Sequence, residues 1–256
     1  MTGSDSQGSR EAAAVVLAAG KGTRMKSDIP KVATELAGRP LLLHVLDSLI
    51  AAGFRRICII VGYRRDMVEA IVPEYPDTRI EFAHQAEQKG TAHAFLCARD
   101  ALADFQGPVL VACGDMPMIR AQTLTDLLDR HNSEQNSATV LSARLDPPTG
   151  YGRLVRNEEG KLTSIIEEKD ASDEIRRIDE VNTGSYILEA PEIFELLTRI
   201  DTNNAQGEYY LPDAIALYRK QNRNVGSHLL TDAMEAHGVN SRADLDLLEE
   251  KLKLRT

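Results

Sequence analysis

A chain of 256 residues, 43% hydrophobic and 27% charged, is long enough to bury a full core as one large domain or two small ones. The 30 Lys and Arg stand against 39 Asp and Glu, a net charge of −9, which argues against a nucleic-acid platform but leaves room for a local basic pocket for phosphates. Three cysteines are too few for a disulfide framework, and none of their spacings reads as a zinc site.

The first ten residues are Ser- and Gly-rich with no apolar stretch, which predicts a flexible tail and not a signal peptide. Ala12 to Ala18 is continuously apolar, the mark of a strand buried on both faces. A loop rich in Gly, Lys and Arg follows as far as Pro30. Pro40 to Ala52 carries apolar residues at helical spacing (Leu42, Val45, Leu46, Leu49, Ile50), with proline in the first turn and Gly53 past the end. Arg56 to Val61 reads as a second buried strand, Arg64 to Ile71 as a helix and Ile80 to His84 as a third strand. Gly90 to Asp104 reads as a helix, Pro108 to Ala112 as a fourth strand ending at Gly114-Asp115, Gln122 to His131 as a helix, and Ala138 to Ala143 as a strand. This alternation predicts an α/β fold with a Rossmann-like, doubly wound, mostly parallel sheet, whose ligands bind at the carboxyl ends of the strands.

The second half changes character. Tyr151 to Asp170 reads as strand, turn (Asn157-Glu-Glu-Gly160) and strand, and Asn182 to Leu188 as a strand. Helices are expected over Pro191 to Arg199 and Leu211 to Gln221, a strand over Val225 to Leu230 and a closing helix over Arg242 to Leu254. The pattern suggests a lobe inserted over the ligand end of the sheet. Cys58 and Cys113 lie in or beside apolar runs and read as buried thiols in a reducing compartment. No apolar run approaches the ~20 residues of a membrane span. The expectation is a cytoplasmic protein with neither membrane nor nucleic acid as partner.

Leu17-Ala-Ala-Gly-Lys-Gly-Thr-Arg-Met25 follows the first strand, and its glycines let backbone N–H groups cradle a polyphosphate. A dinucleotide fingerprint needs a small residue where Met25 stands and an acid where Gly62-Tyr63 stand, and no Walker A string occurs. What remains is a glycine loop with three nearby cations, Lys21, Arg24 and Lys31. Arg24 and Lys31 could bracket a triphosphate, the first as a planar fork and the second as a point charge. Asp115, directly after a buried strand, suits a hard cation such as Mg²⁺.

The string L-A-A-G-x-G-T-R-M-x-S-x-x-P-K resembles the opening signature of the sugar-1-phosphate nucleotidyltransferases. Gln85-Ala-Glu-Gln-Lys-Gly-Thr91, Gly114-Asp115, Pro148-Thr-Gly-Tyr-Gly-Arg153 and Glu167-Glu-Lys-Asp170 follow in that family's order. Val181-Asn-Thr-Gly184, Asn203-Asn-Ala-Gln-Gly-Glu-Tyr-Tyr210 and Gly238-Val-Asn-Ser-Arg242 complete it. From about residue 13 to the end, the chain resembles the uridyltransferase domain of the bacterial N-acetylglucosamine-1-phosphate uridyltransferases (UDP-N-acetylglucosamine pyrophosphorylases). The resemblance implies a nucleotide-diphospho-sugar transferase fold over residues 11–256, with a nucleotide-binding half at 11–145 and a sugar-binding half at 146–256. It implies a Mg²⁺-dependent reaction in which UTP and N-acetylglucosamine 1-phosphate give UDP-N-acetylglucosamine and pyrophosphate.

By the same resemblance, Arg24 and Lys31 are catalytic. Leu17, Ala18, Ala19, Gly20, Lys31, Gln85, Gly90 and Thr91 bind the nucleotide. Gly152, Glu167 and Asn182 hold the sugar, with Thr183 a weaker candidate, and Asp115 and Asn240 hold the metal. Simpler roles compete at several positions: Asn240 or Ser241 could cap the last helix, Thr91 could cap its own, and Glu167 could belong to a run of surface acids.

Many members of the family continue into a left-handed β-helix with acetyltransferase activity, which would show as hexapeptide repeats. The chain stops at Thr256 without them, so uridyl transfer without acetylation is expected, and a trimer is not. Cys113 stands where the family often has a tyrosine lining the sugar site. The alternatives are a nucleotidyltransferase for another sugar 1-phosphate, or a non-catalytic nucleotide-sensing relative. The presence of Arg24, Lys31 and Asp115 argues against the second.

Overall fold

A strand that is apolar on both faces needs cover from both sides, and that requirement organises the molecule. The computed structural model describes residues 11–22 and 28–253. In chain order the elements are β1 (Ala13–Leu17), a 3-10 turn (Lys31–Ala33), the short hairpin β2 (Glu35–Leu36) and β3 (Arg39–Pro40), α1 (Leu41–Ala51), β4 (Arg56–Val61), α2 (Arg65–Ile71), β5 (Arg79–His84) and α3 (Thr91–Leu96). Then come β6 (Gly107–Cys113), α4 (Ala121–Ser133), β7 (Ala138–Arg144), β8 (Arg153–Arg156), β9 (Leu162–Ile166) and α5 (Asp173–Arg176). The chain goes on through β10 (Glu180–Ala190), α6 (Glu192–Leu197), α7 (Asp213–Lys220), β11 (Val225–Leu229), a 3-10 turn (Ala233–Ala236) and α8 (Arg242–Lys253).

The main sheet runs in the order β11-β7-β10-β6-β1-β4-β5. β1 lies between β6 and β4, parallel to both, with Leu17 opposite Cys113 on one side and Ile60 on the other. Ala13 and Val15 face a core shared with Phe95 of α3, Phe194 of α6 and Tyr218 of α7. Ala14 and Val16 face the opposite core, with Leu42 and Leu46 of α1 and Leu124 and Leu127 of α4. The fold is thus doubly wound, and the continuous apolar runs are strands shielded on both sides.

One strand breaks the parallel series. β10 sits between β6 and β7 and runs antiparallel to both, pairing Tyr186 with Val111 and with Val140. Sequence alternation leads straight from the fourth strand to β7 and carries no sign of this insertion, because pairing partners far apart in the chain leave no local pattern. The hairpin expected within 151–170 is present as β8 and β9. Asn157 Oδ1 accepts N–H bonds from Glu159 and Lys161, at 3.2 and 2.9 Å, to close its turn. The helix expected over 90–104 is helical only to Leu96 and continues as turns, with Ala98 N–H bonded to Phe95 and Phe105 N–H to Leu102.

Candidate active site

Because β1, β4, β5 and β6 are parallel, Leu17, Val61, His84 and Cys113 end on one edge. An antiparallel strand brings its beginning to that edge, so Asn182, Thr183 and Gly184 of β10 arrive beside Cys113. β8 pairs with β10 through Arg153 and Val181, and β9 pairs Ile166 with Arg153. Gly152 and Glu167 are thereby carried to the same place. The register of β10 against β7 slips between Asn182 and Tyr186, and the residues of this irregular stretch line a cavity at the strand's start.

Above the ends of β1 and β5, a cleft is lined by Leu17, Ala19, Gly20, Gln85, Gln88, Gly90, Thr91, Ala94 and Glu208. Ala18 supports it from below: it is buried and donates its N–H to Ile60 at 3.0 Å. Gly62 stands where a dinucleotide fold would carry its acid, and a Cβ there would lie 2.9 Å from both the Cβ and the carbonyl oxygen of Ala19. That contact explains the glycine. Gly90 has φ +109, and a Cβ on it would come within 2.5 Å of the Tyr209 carbonyl oxygen. Tyr209 in turn donates to Lys89 O at 2.8 Å and accepts from Ala92 N–H at 2.9 Å. Thr91 is no N-cap; its hydroxyl accepts the N–H of Leu211 at 3.0 Å.

A second cavity is lined by Leu17, Thr91 and Leu211 on one side and by Cys113, Tyr151, Gly152, Glu167, Asn182, Thr183 and Tyr186 on the other. Asn182 donates Nδ2 to the Tyr186 hydroxyl at 2.6 Å and accepts the Gly184 N–H on Oδ1 at 3.0 Å. Its backbone N–H reaches Gly152 O at 2.8 Å. Thr183 donates its hydroxyl to Leu141 O at 2.8 Å. The run Glu167-Glu-Lys-Asp170 divides its duties: Glu168 accepts Gly150 N–H and Asp170 accepts Ala205 N–H. Glu167 faces the cavity, where burial, then the charges of Asp170 and Asp213, raise its carboxyl above the usual range. Cys113 is half-buried, not sealed in the core as expected. It opens onto this cavity, and lost solvation together with Asp115 pushes its thiol up to about 12.

On the third side, the Lys31 ammonium pairs with the Asp115 carboxylate and donates to Asn240 Oδ1 at 3.0 Å. Val239 N–H bonds Asp115 O at 3.0 Å and so ties the 238–242 string to Asp115. The capping question resolves at Ser241: its hydroxyl accepts Asp244 N–H at 3.2 Å while Asp244 accepts the N–H groups of Asn240 and Ser241 at 2.8 Å. The Asn240 amide is thereby left for Lys31 and for Gly238 O. A cation already rests against the two oxygens expected to ligate Mg²⁺, and both are hard donors, so the pair fits such an ion. Among the described residues no cluster of three or more His, Cys, Asp or Glu could hold a metal. Arg24 lies outside the described residues.

Sequence reasoning missed Gln88, whose Nε2 donates to Ala19 O at 2.6 Å and ties two loops of the cleft together. It also missed Tyr186, hidden within an apolar strand, and His93, which meets the Gln85 amide. The Asn203-to-Tyr210 string is a brace. Asn204 Oδ1 accepts N–H bonds from Gln206 and Glu208, and its Nδ2 donates to Glu208 O. The loop so formed presents Tyr209 to Gly90.

The nucleotidyl transferase family matches residues 13–234, and the chain belongs to it. The chain is 42% identical over 242 residues to the bifunctional protein GlmU of Streptococcus mutans and 45% identical to that of Lactococcus lactis subsp. lactis. In each case the match covers 94% of this chain and 52% of the relative, so the chain spans about half the length of these relatives. A solved UDP-glucose pyrophosphorylase complexed with UDP-glucose superposes with a TM-score of 0.75 over 96% of this chain and 99% of its own, at 19% identity. That likeness bears on the fold. No helix among the described residues is long and apolar enough to cross a membrane.

Proposed function

We propose that the chain transfers the uridylyl group of UTP to N-acetylglucosamine 1-phosphate and releases pyrophosphate. One observation carries this reading. A cleft lined by Gln85 and Gly90 and a cavity lined by Glu167 and Asn182 share Leu17 and Thr91 as a common wall, with the Lys31, Asp115 and Asn240 group beside them. A sugar-phosphate oxygen attacks the α-phosphorus in line, and the bond to the β-phosphate oxygen breaks. The nucleophile is already an anion, so no general base is required. The work is to bring two anions together and to stabilise charge on the leaving pyrophosphate.

The roles are those the family resemblance implies. Leu17, Ala19, Gly20, Gln85, Gly90 and Thr91 hold the uridine, with residues 11–145 as the nucleotide half. Gly152, Glu167 and Asn182 hold the sugar from residues 146–256, Glu167 accepting from hydroxyls and Asn182 meeting hydroxyl or acetamido groups. Lys31 sits between the α-phosphate and the sugar phosphate, and Arg24 answers the charge of the leaving group. Asp115 and Asn240 hold Mg²⁺, which when bound neutralises phosphate charge. GlmU relatives at 41–45% identity support the substrate pair.

A second reading, transfer to a different sugar 1-phosphate, is favoured at one point only: the cavity wall carries the small Cys113. The test is pyrophosphate release from UTP, dTTP, CTP and GTP against N-acetylglucosamine, N-acetylgalactosamine and glucose 1-phosphates. UTP with N-acetylglucosamine 1-phosphate is expected to be fastest. A faster rate with glucose 1-phosphate would move the assignment to the second reading, and no release with any pair would end both.

A further inference from the structure

We propose that His93 is a positioning residue for nucleobase choice. It orients the Gln85 amide so that a carbonyl oxygen, and not an N–H, meets the base. The inference rests on the uridylyl-transfer reading and adds to it a residue that touches no substrate.

Gln85 is 4% exposed, follows the end of β5 and lines the nucleotide cleft. Its amide nitrogen lies 3.2 Å from Gly90 O and 3.0 Å from His93 Nδ1. A backbone carbonyl can only accept, so the atom facing Gly90 O is the NH₂ group. That group has two hydrogens. One goes to Gly90 O and the other to Nδ1, which then accepts, with the imidazole proton on Nε2. The amide nitrogen is fully committed, and Oε1 is the atom left for a ligand in the cleft. His93 lies in the first turn of α3, which puts its ring on the same short segment as Gly90.

Uracil presents an N–H at ring position 3, flanked by carbonyls. Cytosine presents a bare acceptor nitrogen at the same place. A carbonyl oxygen pairs with the first and repels the second, so an amide locked by two acceptors discriminates against cytosine. Without the acceptor on His93, one amide hydrogen is released. The group can then twist about its remaining bond to Gly90 and offer an N–H to cytosine.

The test compares His93→Phe, which keeps a ring and removes the acceptor, with His93→Asn, whose Oδ1 can stand where Nδ1 was. Turnover of UTP and CTP is measured by pyrophosphate release, and binding of UMP and CMP by calorimetry. His93→Phe is expected to lower the UTP-to-CTP ratio of kcat/KM about five- to tenfold, the worth of one neutral hydrogen bond, chiefly through KM for UTP and with kcat held within about twofold. His93→Asn is expected to recover most of the ratio. An unchanged ratio in His93→Phe overturns the inference. So does an equal loss for both nucleotides that His93→Asn does not relieve. Should His93→Phe fail to fold, His93→Ala is read in the same way. A wild-type protein that neither binds UMP nor turns over UTP removes the underlying reading instead.

Discussion

Lys31 holds the place where two demands meet. Its ammonium pairs with Asp115 and donates to Asn240, the residues proposed to take Mg²⁺, and the same cation is proposed to meet the α-phosphate. Asp115→Asn removes the single ligand charge at that point. The Mg²⁺ concentration for half-maximal pyrophosphate release should rise about tenfold or more, since ligand charge sets the affinity of such sites. An unchanged metal titration would refute ligation by Asp115. Asp213 offers a different residue-scale test. Burial, then the charges of Asp201 and Asp170, push its carboxyl from 3.8 up to about 6. The fold therefore favours the protonated form: the contribution is complete below the unfolded value and is lost as pH rises through about 6. Asp213→Asn should be neutral near pH 4 and stabilising by about 1 kcal/mol above pH 6, after allowance for solvent at a half-exposed site. Urea melts of both proteins at pH 4.5 and 7.5 would read the difference, and a gain independent of pH would dismiss it.

At the scale of elements, the cleft depends on loops that lean on one another. Gly90 is the pivot, with φ +109 and no room for a Cβ against Tyr209. Gly90→Ala should cost about 2–3 kcal/mol, read as a lowered melting temperature, because strained backbone and a clash with main-chain atoms act together. It should also raise KM for UTP by displacing Thr91. A variant that melts normally would show that the 203–210 brace yields easily. The glycine was legible in the sequence as part of a motif, but its reason was not. Tyr209 lies more than a hundred residues away, and nothing local announces the contact. Gly62 teaches the same lesson in reverse. In the sequence it only excludes a dinucleotide fingerprint, whereas in the fold it admits Ala19 to the top of β4.

For the whole molecule, one sheet edge carries both cavities because β10 runs against its neighbours. A parallel strand there would present its end to the cleft, and Asn182-Thr183-Gly184 would lie at the far edge. Since the two cavities share a wall, a molecule that spans both is held by both at once. UDP-N-acetylglucosamine should therefore raise the melting temperature more than UMP and N-acetylglucosamine 1-phosphate supplied together at equal concentration. Equal shifts would mean that the cavities act independently.

Local pattern was enough for much of this protein. Apolar runs marked the buried strands and helical spacing marked α1, because each signal arises from residues close together in the chain. Motif order was enough to resemble a family. The place of β10, the part of Asn204 as a brace, the division of duties among Glu167, Glu168 and Asp170, and the grip of His93 on Gln85 were decided only by tertiary structure. Each depends on contacts between distant segments, and a hydrogen bond across such a distance is fixed by packing and leaves no period in the sequence.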